Sequence, residues 1–481
     1  MSSDPQARFH PASPDIPASK QRALGWILAL LALAQLIYSL DINIVFVALP
    51  EIGQALGFSK QSLQWVVSAY TIFCGGFLLL GGRAADLIGH KRMFIFALAL
   101  YAISSLLGGL AWNSLVIIIA RAIQGVGAAF LFPATLSLIN RLFDEGPRRN
   151  RALAVWGGAG ASGLTIGSLL GGLLTDGFGW EAVFYVNVPL AGIVALAAIF
   201  LIPHDASKEE KRRFDIPGAV TVTTGATLLV YVLVQGPEFG WTSPSILVCA
   251  ILSLILLVVF AVIQARSVDP LMPLHLFHNR SLAAGVMITF IFMGTFGALP
   301  YFLTILFQNV HGYSALMTGL AFLIPSLAIA VGTQLGERLA TRFEARSTLL
   351  IGMLIGVAGT LLIPIGAHIE SNYLSIVPGL VISGIGQGIT WTGMWVAASS
   401  GVAEEYQGVA SGIASTTLNI GNAVGLAILI AVANEGIHGK SGEVLLEAVA
   451  AGERTAIYLA ALGILLGALV ALFLPRRRNH Y

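Results

Sequence analysis

Gly82-Arg83-Ala84-Ala85-Asp86-Leu87-Ile88-Gly89-His90-Lys91-Arg92 is a short charged stretch between two long apolar runs. A related stretch, Gly336-Glu337-Arg338-Leu339-Ala340-Thr341-Arg342-Phe343-Glu344-Ala345-Arg346, follows 254 residues later. Gln124-Gly125 returns as Gln387-Gly388 at an offset of 263, and Gly167 and Gly171 return as Gly421 and Gly425 at an offset of 254. Each match advances by eight apolar runs, so the chain reads as a doubled body with an insertion between its halves. Parallel repeats about an axis along the membrane normal are one plan of secondary transporters.

Composition outside these stretches agrees. Of 481 residues, 56% are hydrophobic and 10% charged, against about 25% charged in a soluble domain. So few charges cannot cover a water-facing surface. The apolar residues fall in runs of about 20, the length that crosses a hydrocarbon core of about 30 Å. These runs lie near 24–49, 62–81, 93–111, 115–140, 152–175, 183–202, 216–234, 245–264, 281–307, 316–335, 347–367, 374–399, 410–433 and 455–474. That makes fourteen. Backbone groups must be satisfied inside lipid, so the runs are expected to be helices, and the alternating ten-residue segments of a membrane barrel are absent. The 54 glycines suit close helix contact.

Lysine and arginine in the short loops orient the chain. With a cytoplasmic N-terminus, 22 of the 26 basic residues fall on the cytoplasmic side, and only Lys60, Lys440 and Arg454 fall on the other. Arg121 sits within a span. Both termini are therefore expected in the cytoplasm. The expected organisation is a disordered tail over 1–22, a six-helix bundle over 23–202, and a linker with two inserted helices over 203–280. A second six-helix bundle follows over 281–475, then a basic tail over 476–481. No removable signal peptide is expected. Cys74 and Cys249 lie in apolar runs, which offers no disulfide framework.

Asp41 is the one carboxylate clearly inside an apolar run, and Arg121 the one such base. Ionisable groups within a membrane are costly and mark function. A carboxylate that gains and loses a proton as each side opens is what proton coupling needs. Arg121 can hold Asp41 electrostatically, or snorkel to an interface.

The stretch from Gly82 to Arg92 resembles a signature of the major facilitator superfamily, matching at Gly82, Ala85, Asp86, Gly89 and Lys91 and departing at Ala84, Leu87 and His90. Leu40-Asp41-Ile42-Asn43 through Pro50 is similar to the first-helix signature of that family's 14-helix drug:proton antiporter branch. Arg121-x-x-Gln124-Gly125 resembles its fourth-helix motif. Gly163, Gly167, Gly171 and Gly172 resemble its fifth-helix antiporter motif, with Ser168 in place of proline. Trp180 to Pro189 resembles the opening of its sixth helix. The resemblance implies an all-α major facilitator fold of two six-helix bundles plus two inserted helices. It further implies alternating access with proton coupling at Asp41 and Arg121, and a conformational turn built on Gly82, Asp86, Gly89 and Lys91.

Tyr38, Trp65, Tyr70, Gln124, Phe296, Tyr301, Gln387, Trp391, Trp395 and Asn419 are candidate substrate contacts, since aromatic pockets with a few polar groups suit amphipathic molecules. The expected function is export of neutral or weakly charged amphipathic compounds across the inner membrane in exchange for protons. Symport or uniport of a specific metabolite is the alternative. No metal pattern, activated nucleophile or phosphate-cradling loop is present, so an enzyme is not expected. No cofactor, nucleotide or nucleic acid is implied. The expected partners are substrate, protons and membrane lipid; a monomer is one possible state, and the chain does not fix the oligomeric state.

Overall fold

The computed structural model describes residues 18–58, 63, 65–205, 215–267, 270–313, 315–369, 371–433 and 440–475. The N-terminal tail with Arg8, Lys60, the linker bases Lys208, Lys211, Arg212 and Arg213, and the terminal Arg476-Arg477-Arg478 lie outside the described residues.

Among the described residues every regular element is helical. The first half comprises α1 (Ala18–Ala55), α2 (Trp65–Ile88), α3 (His90–Gly109), α4 (Ser114–Leu142) and α5 (Pro147–Phe178), followed by a short α6 (Ala182–Tyr185) and α7 (Asn187–Leu201). The inserted pair is α8 (Ile216–Phe239) and α9 (Pro244–Arg266). The second half runs through α10 (Arg280–Thr295), α11 (Leu299–Ile305), a π-helical turn Leu306–Val310 and α12 (Ala315–Ala321). It ends with α13 (Leu323–Gly366), α14 (Tyr373–Ser399), α15 (Gln407–Ala433) and α16 (Gly442–Ala471).

Twelve described segments are long and apolar enough to cross a membrane. One of them, Met317–Gly366, has 50 residues, about 75 Å of helix at 1.5 Å per residue. That is more than twice the hydrocarbon thickness. It turns at Glu344, whose φ of 68° makes it the one non-glycine residue with positive φ among those described. The expected break between the runs near 316–335 and 347–367 thus falls at Glu344, inside the second copy of the charged stretch. The ninth run also bends, between α10 and α11, where Gly297 is followed by Pro300. Proline has no N–H for the helical ladder.

Within the first half, α1 packs along α5, and α4 lies against α2 and α3. In the second, α13 lies along α14 and α16, and α10 along α15. The halves meet along two seams, α2 against α15 and α5 against α13. The repeat exchanges these seams, because α2 corresponds to the start of α13 and α5 to α15. The inserted α8 packs on α2 and also reaches α15.

Small residues make these approaches feasible. A Cβ at Gly163 would stand 2.5 Å from the Leu36 carbonyl, and one at Gly171 2.9 Å from that of Ile44. A Cβ at Gly167 would collide with the Leu40 carbonyl. The three glycines therefore form the face of α5 that rides on α1, whereas Gly172 has open space beyond it. Gly167→Val is expected to cost about 1–3 kcal/mol by overpacking and to lower the melting temperature of the purified protein. Gly172→Ala should leave the melt unchanged.

Candidate functional site

Polar side chains converge on Asp41 in the interior of the first half. Its Oδ2 accepts from Arg121 Nη1 at 2.8 Å. Its Oδ1 accepts from Gln124 Nε2 at 3.0 Å and from Asn187 Nδ2 at 2.8 Å. Arg121 in turn donates Nε to the Val66 carbonyl at 3.0 Å and Nη1 to Gln124 Oε1 at 2.7 Å. Gln124 Nε2 also reaches Ser105 Oγ at 2.7 Å. The Tyr70 ring lies under the guanidinium, with Cζ 4.3 Å from its centroid. Asp41, Gln124, Ser105 and Asn187 are fully buried and Arg121 is 1% exposed, which rules out snorkelling. Asn187 is the first residue of α7, which continues α6 through the helical Val186, and its register brings the amide onto Asp41.

The charged stretch from Gly82 to Arg92 closes one end of the molecule. Asp86 accepts from the backbone N–H groups of Gly408 at 3.0 Å and Val409 at 2.9 Å. A carboxylate of one half thus caps the first turn of a helix of the other, where unpaired N–H groups and the helix dipole favour an anion. Gly82 and Gly408 pack backbone to backbone, and a Cβ at either would collide with the other's carbonyl. His90, a departure from the family signature, lies 3.6 Å from Asp86 and 2.8 Å from Ser137 Oγ, tying the latch to α4. Lys91 Nζ donates to the carbonyls of Ile199 and Ile202, both at 2.7 Å, so it caps the end of α7. Asp205 accepts from the Lys91 and Arg92 amides and caps the start of α3. On the related seam, Asn150 Nδ2 donates to Thr341 Oγ1 at 3.2 Å.

Aromatic rings fill the space where the halves meet. Trp156 of α5 stacks on Trp391 of α14, with centroids 6.0 Å apart, and meets Trp395 edge-on at 5.7 Å. Phe132 of α4 touches Tyr38, Trp156 and Trp395 at 5.1–5.7 Å. Phe292 of α10 touches Trp391 at 5.5 Å. The indole N–H groups of Trp156, Trp391 and Trp395 have no acceptor among the described residues. The cluster is therefore apolar in bulk, with three buried donors unspent.

A sequence profile described as the Major Facilitator Superfamily matches residues 31–426. The chain belongs to that family. Similar curated proteins include the puromycin resistance protein pur8 of Streptomyces alboniger, 36% identical over 457 residues, covering 93% of this chain and 90% of that one. The cephamycin export protein CmcT of Amycolatopsis lactamdurans is 36% identical over 466 residues, covering 94% of each chain. The multidrug resistance protein Stp of Mycobacterium tuberculosis is 34% identical and covers 81% of this chain and 72% of its own. Among solved structures, the proton:xylose symporter XylE shares the fold at a TM-score of 0.69 and 14% identity, covering 95% of this chain and 97% of its own. The human organic anion transporter MFSD10 does so at 0.67 and 16%, covering 95% and 100%.

Within this major facilitator fold the structure joins Asp41, Arg121, Gln124 and Tyr70 in one network, and Tyr38, Trp391 and Trp395 in the aromatic cluster. Gly125 abuts the Tyr70 carbonyl, which lets α4 approach α2. Four other candidate contacts stand elsewhere. Trp65 stacks on Tyr231 of α8, Tyr301 is 43% exposed and edge-on to Phe302, and Asn419 bonds back to the Ser415 carbonyl. Gln387 is half-buried on α14. Sequence reasoning did not assign roles to Asn187, Ser105, Trp156, Phe132 or Phe292. A signal existed for Asn187 and Trp156, a polar amide and a large indole inside apolar runs. Asp41 is also not the lone buried carboxylate: α16 begins earlier than expected, and Glu453 on it is 4% exposed.

Asp86→Ala removes both caps from α15, a change worth about 0.5–2 kcal/mol. With a cysteine at Ser411, buried in the same seam, the variant is expected to label severalfold faster than its Asp86 parent. Equal rates would show that the caps do not hold the seam shut.

Proposed function

We propose that this transporter exports amphipathic small molecules, antibiotics among them, across the cytoplasmic membrane in exchange for protons. The observation that carries the reading is the Asp41–Arg121 pair, a buried titratable group held by donors from two other helices, α4 and α7. The names of similar proteins support the cargo class: puromycin resistance, cephamycin export, and tetracenomycin C resistance and export.

The geometry supports the following cycle. The end carrying Asp86 is shut, and the excess of basic residues there argues that it faces the cytoplasm. Asp41 is ionised while Arg121, Gln124 and Asn187 hold it. A proton arriving from outside removes its charge and frees Arg121 to re-pair. Tyr38 lies three residues from Asp41 on α1, and Phe132 lies on α4 beyond Arg121, so a shift in the pair moves the aromatic cluster. The seams α2·α15 and α5·α13 then part, cargo enters among the rings, and the proton leaves to the cytoplasm. Counting the turn at Glu344 as a break and α5 as a span gives fourteen crossings, with both termini on the basic side.

Asp41→Asn in proteoliposomes is expected to abolish uphill transport under a proton gradient while leaving downhill exchange of cargo. Uphill rates equal to the wild type would remove the proton-carrier role. Trp156→Ala and Trp395→Ala should each weaken cargo binding about tenfold or more, given roughly 1.4 kcal/mol per decade and the size of the lost ring contact. A drug-susceptibility panel in a pump-deficient host, with and without a protonophore, measures both cargo and energy source.

A further inference from the structure

Glu453 lies about 16 Å along α16 from its start, at 1.5 Å per residue, at the end of the molecule away from the Asp86 latch. It is 4% exposed, and its Oε2 has no hydrogen-bond partner among the described residues. Gly452 packs directly against the Ala433 carbonyl, so α16 is pinned to the end of α15 one residue before the carboxyl group. The helix cannot turn Glu453 outward without breaking that contact.

Among the described residues no base is paired with it in this conformation. The adjacent cation, Arg454, donates to His368 Nδ1 at 2.7 Å, and His311 Nε2 meets the His368 carbonyl at 3.0 Å. These three groups form a separate surface chain. The elements packed on α16 are α10, α11, the π-helical turn, α13 and α15. Of these, α15 has no titratable residue, and α13 has none after Arg346. The one charged residue of α10 is Arg280, at the opposite end, and the π-helical turn carries none. From α11 only Tyr301 comes within electrostatic reach of Glu453. Lys440 precedes α16 and lines a surface pocket with Gly452 and Thr455.

An ionised carboxylate left in an apolar interior without a partner is strongly unfavourable, whereas a neutral acid is tolerated. The contrast with Asp41 is direct: there both oxygens are filled by donors, and here one is empty. We propose that Glu453 is a second proton-binding site, in the other half of the molecule, and that it carries a proton in the very conformation in which Asp41 is ionised. The two acids would then load and unload in opposite phases of the cycle. The neighbouring π-helical turn is a geometry often found at functional sites and gives α11 a place to shift when Glu453 changes charge.

The test is infrared spectroscopy of the purified protein in lipid at neutral pH, reading the C=O band of a protonated carboxylic acid. The band should be lost in Glu453→Gln, shifted in Glu453→Asp, retained in Asp41→Asn, and moved by carbon-13-labelled glutamate in the wild type. The isotope arm needs no substitution, so a variant that fails to fold does not leave the matter open. Absence of a glutamate-derived band in the wild type, or its persistence in Glu453→Gln, overturns the proposal. In proteoliposomes Glu453→Gln should change the proton-to-cargo ratio, and an unchanged ratio also counts against the proposal. The spectroscopic arm is independent of the export reading, so the two can fail separately.

Discussion

Arg121 and Asp41 neutralise one another in a place that water does not reach, and much of the first half is arranged around that need. Either charge alone in a low-dielectric interior would cost several kcal/mol, and removing one partner of such a pair costs about 3–5 kcal/mol. The pair brings together α1, α2, α4 and α7. Val66 contributes a carbonyl, Asn187 an amide, and Tyr70 a ring face. An arrangement with so many fixed donors is stiff in one protonation state and unbalanced in the other. That is the property a coupling site requires.

The second constraint is how closely helices can approach. The α2·α15 seam, and the α1·α5 contact that carries Asp41, depend on glycine where a Cβ would strike a carbonyl. Lipid is as apolar as leucine, so hydrophobic burial does not hold membrane helices together; close packing and hydrogen bonds do. The Asp86 cap on α15 adds a polar bond exactly where one half ends and the other begins. Because that bond spans the halves, it exists only while this end is shut. The aromatic cluster is also shared between the halves, with Trp156 and Phe132 of the first meeting Trp391 and Trp395 of the second.

Much of this was legible in the chain. The apolar runs, the repeat offsets and the loop bases gave the helical body, its doubling and its expected orientation. The family motifs marked Asp41, Arg121, Gln124 and Asp86. One helix break was less legible: the 50-residue segment turns at Glu344 rather than at a proline or glycine. Glu453 was hidden because the last apolar run seemed to begin after it.

What the sequence determined by itself is what depends on transfer from water: which segments enter the membrane and which charges are too costly to be there by accident. These are properties of each segment separately, and composition reports them. Which donors face Asp41, which amides Asp86 caps, which indoles meet, and why Glu453 stands alone were decided only by the tertiary structure. Those are distances between residues as far apart as Asp86 and Val409, and they follow from how two twisted bundles interlock.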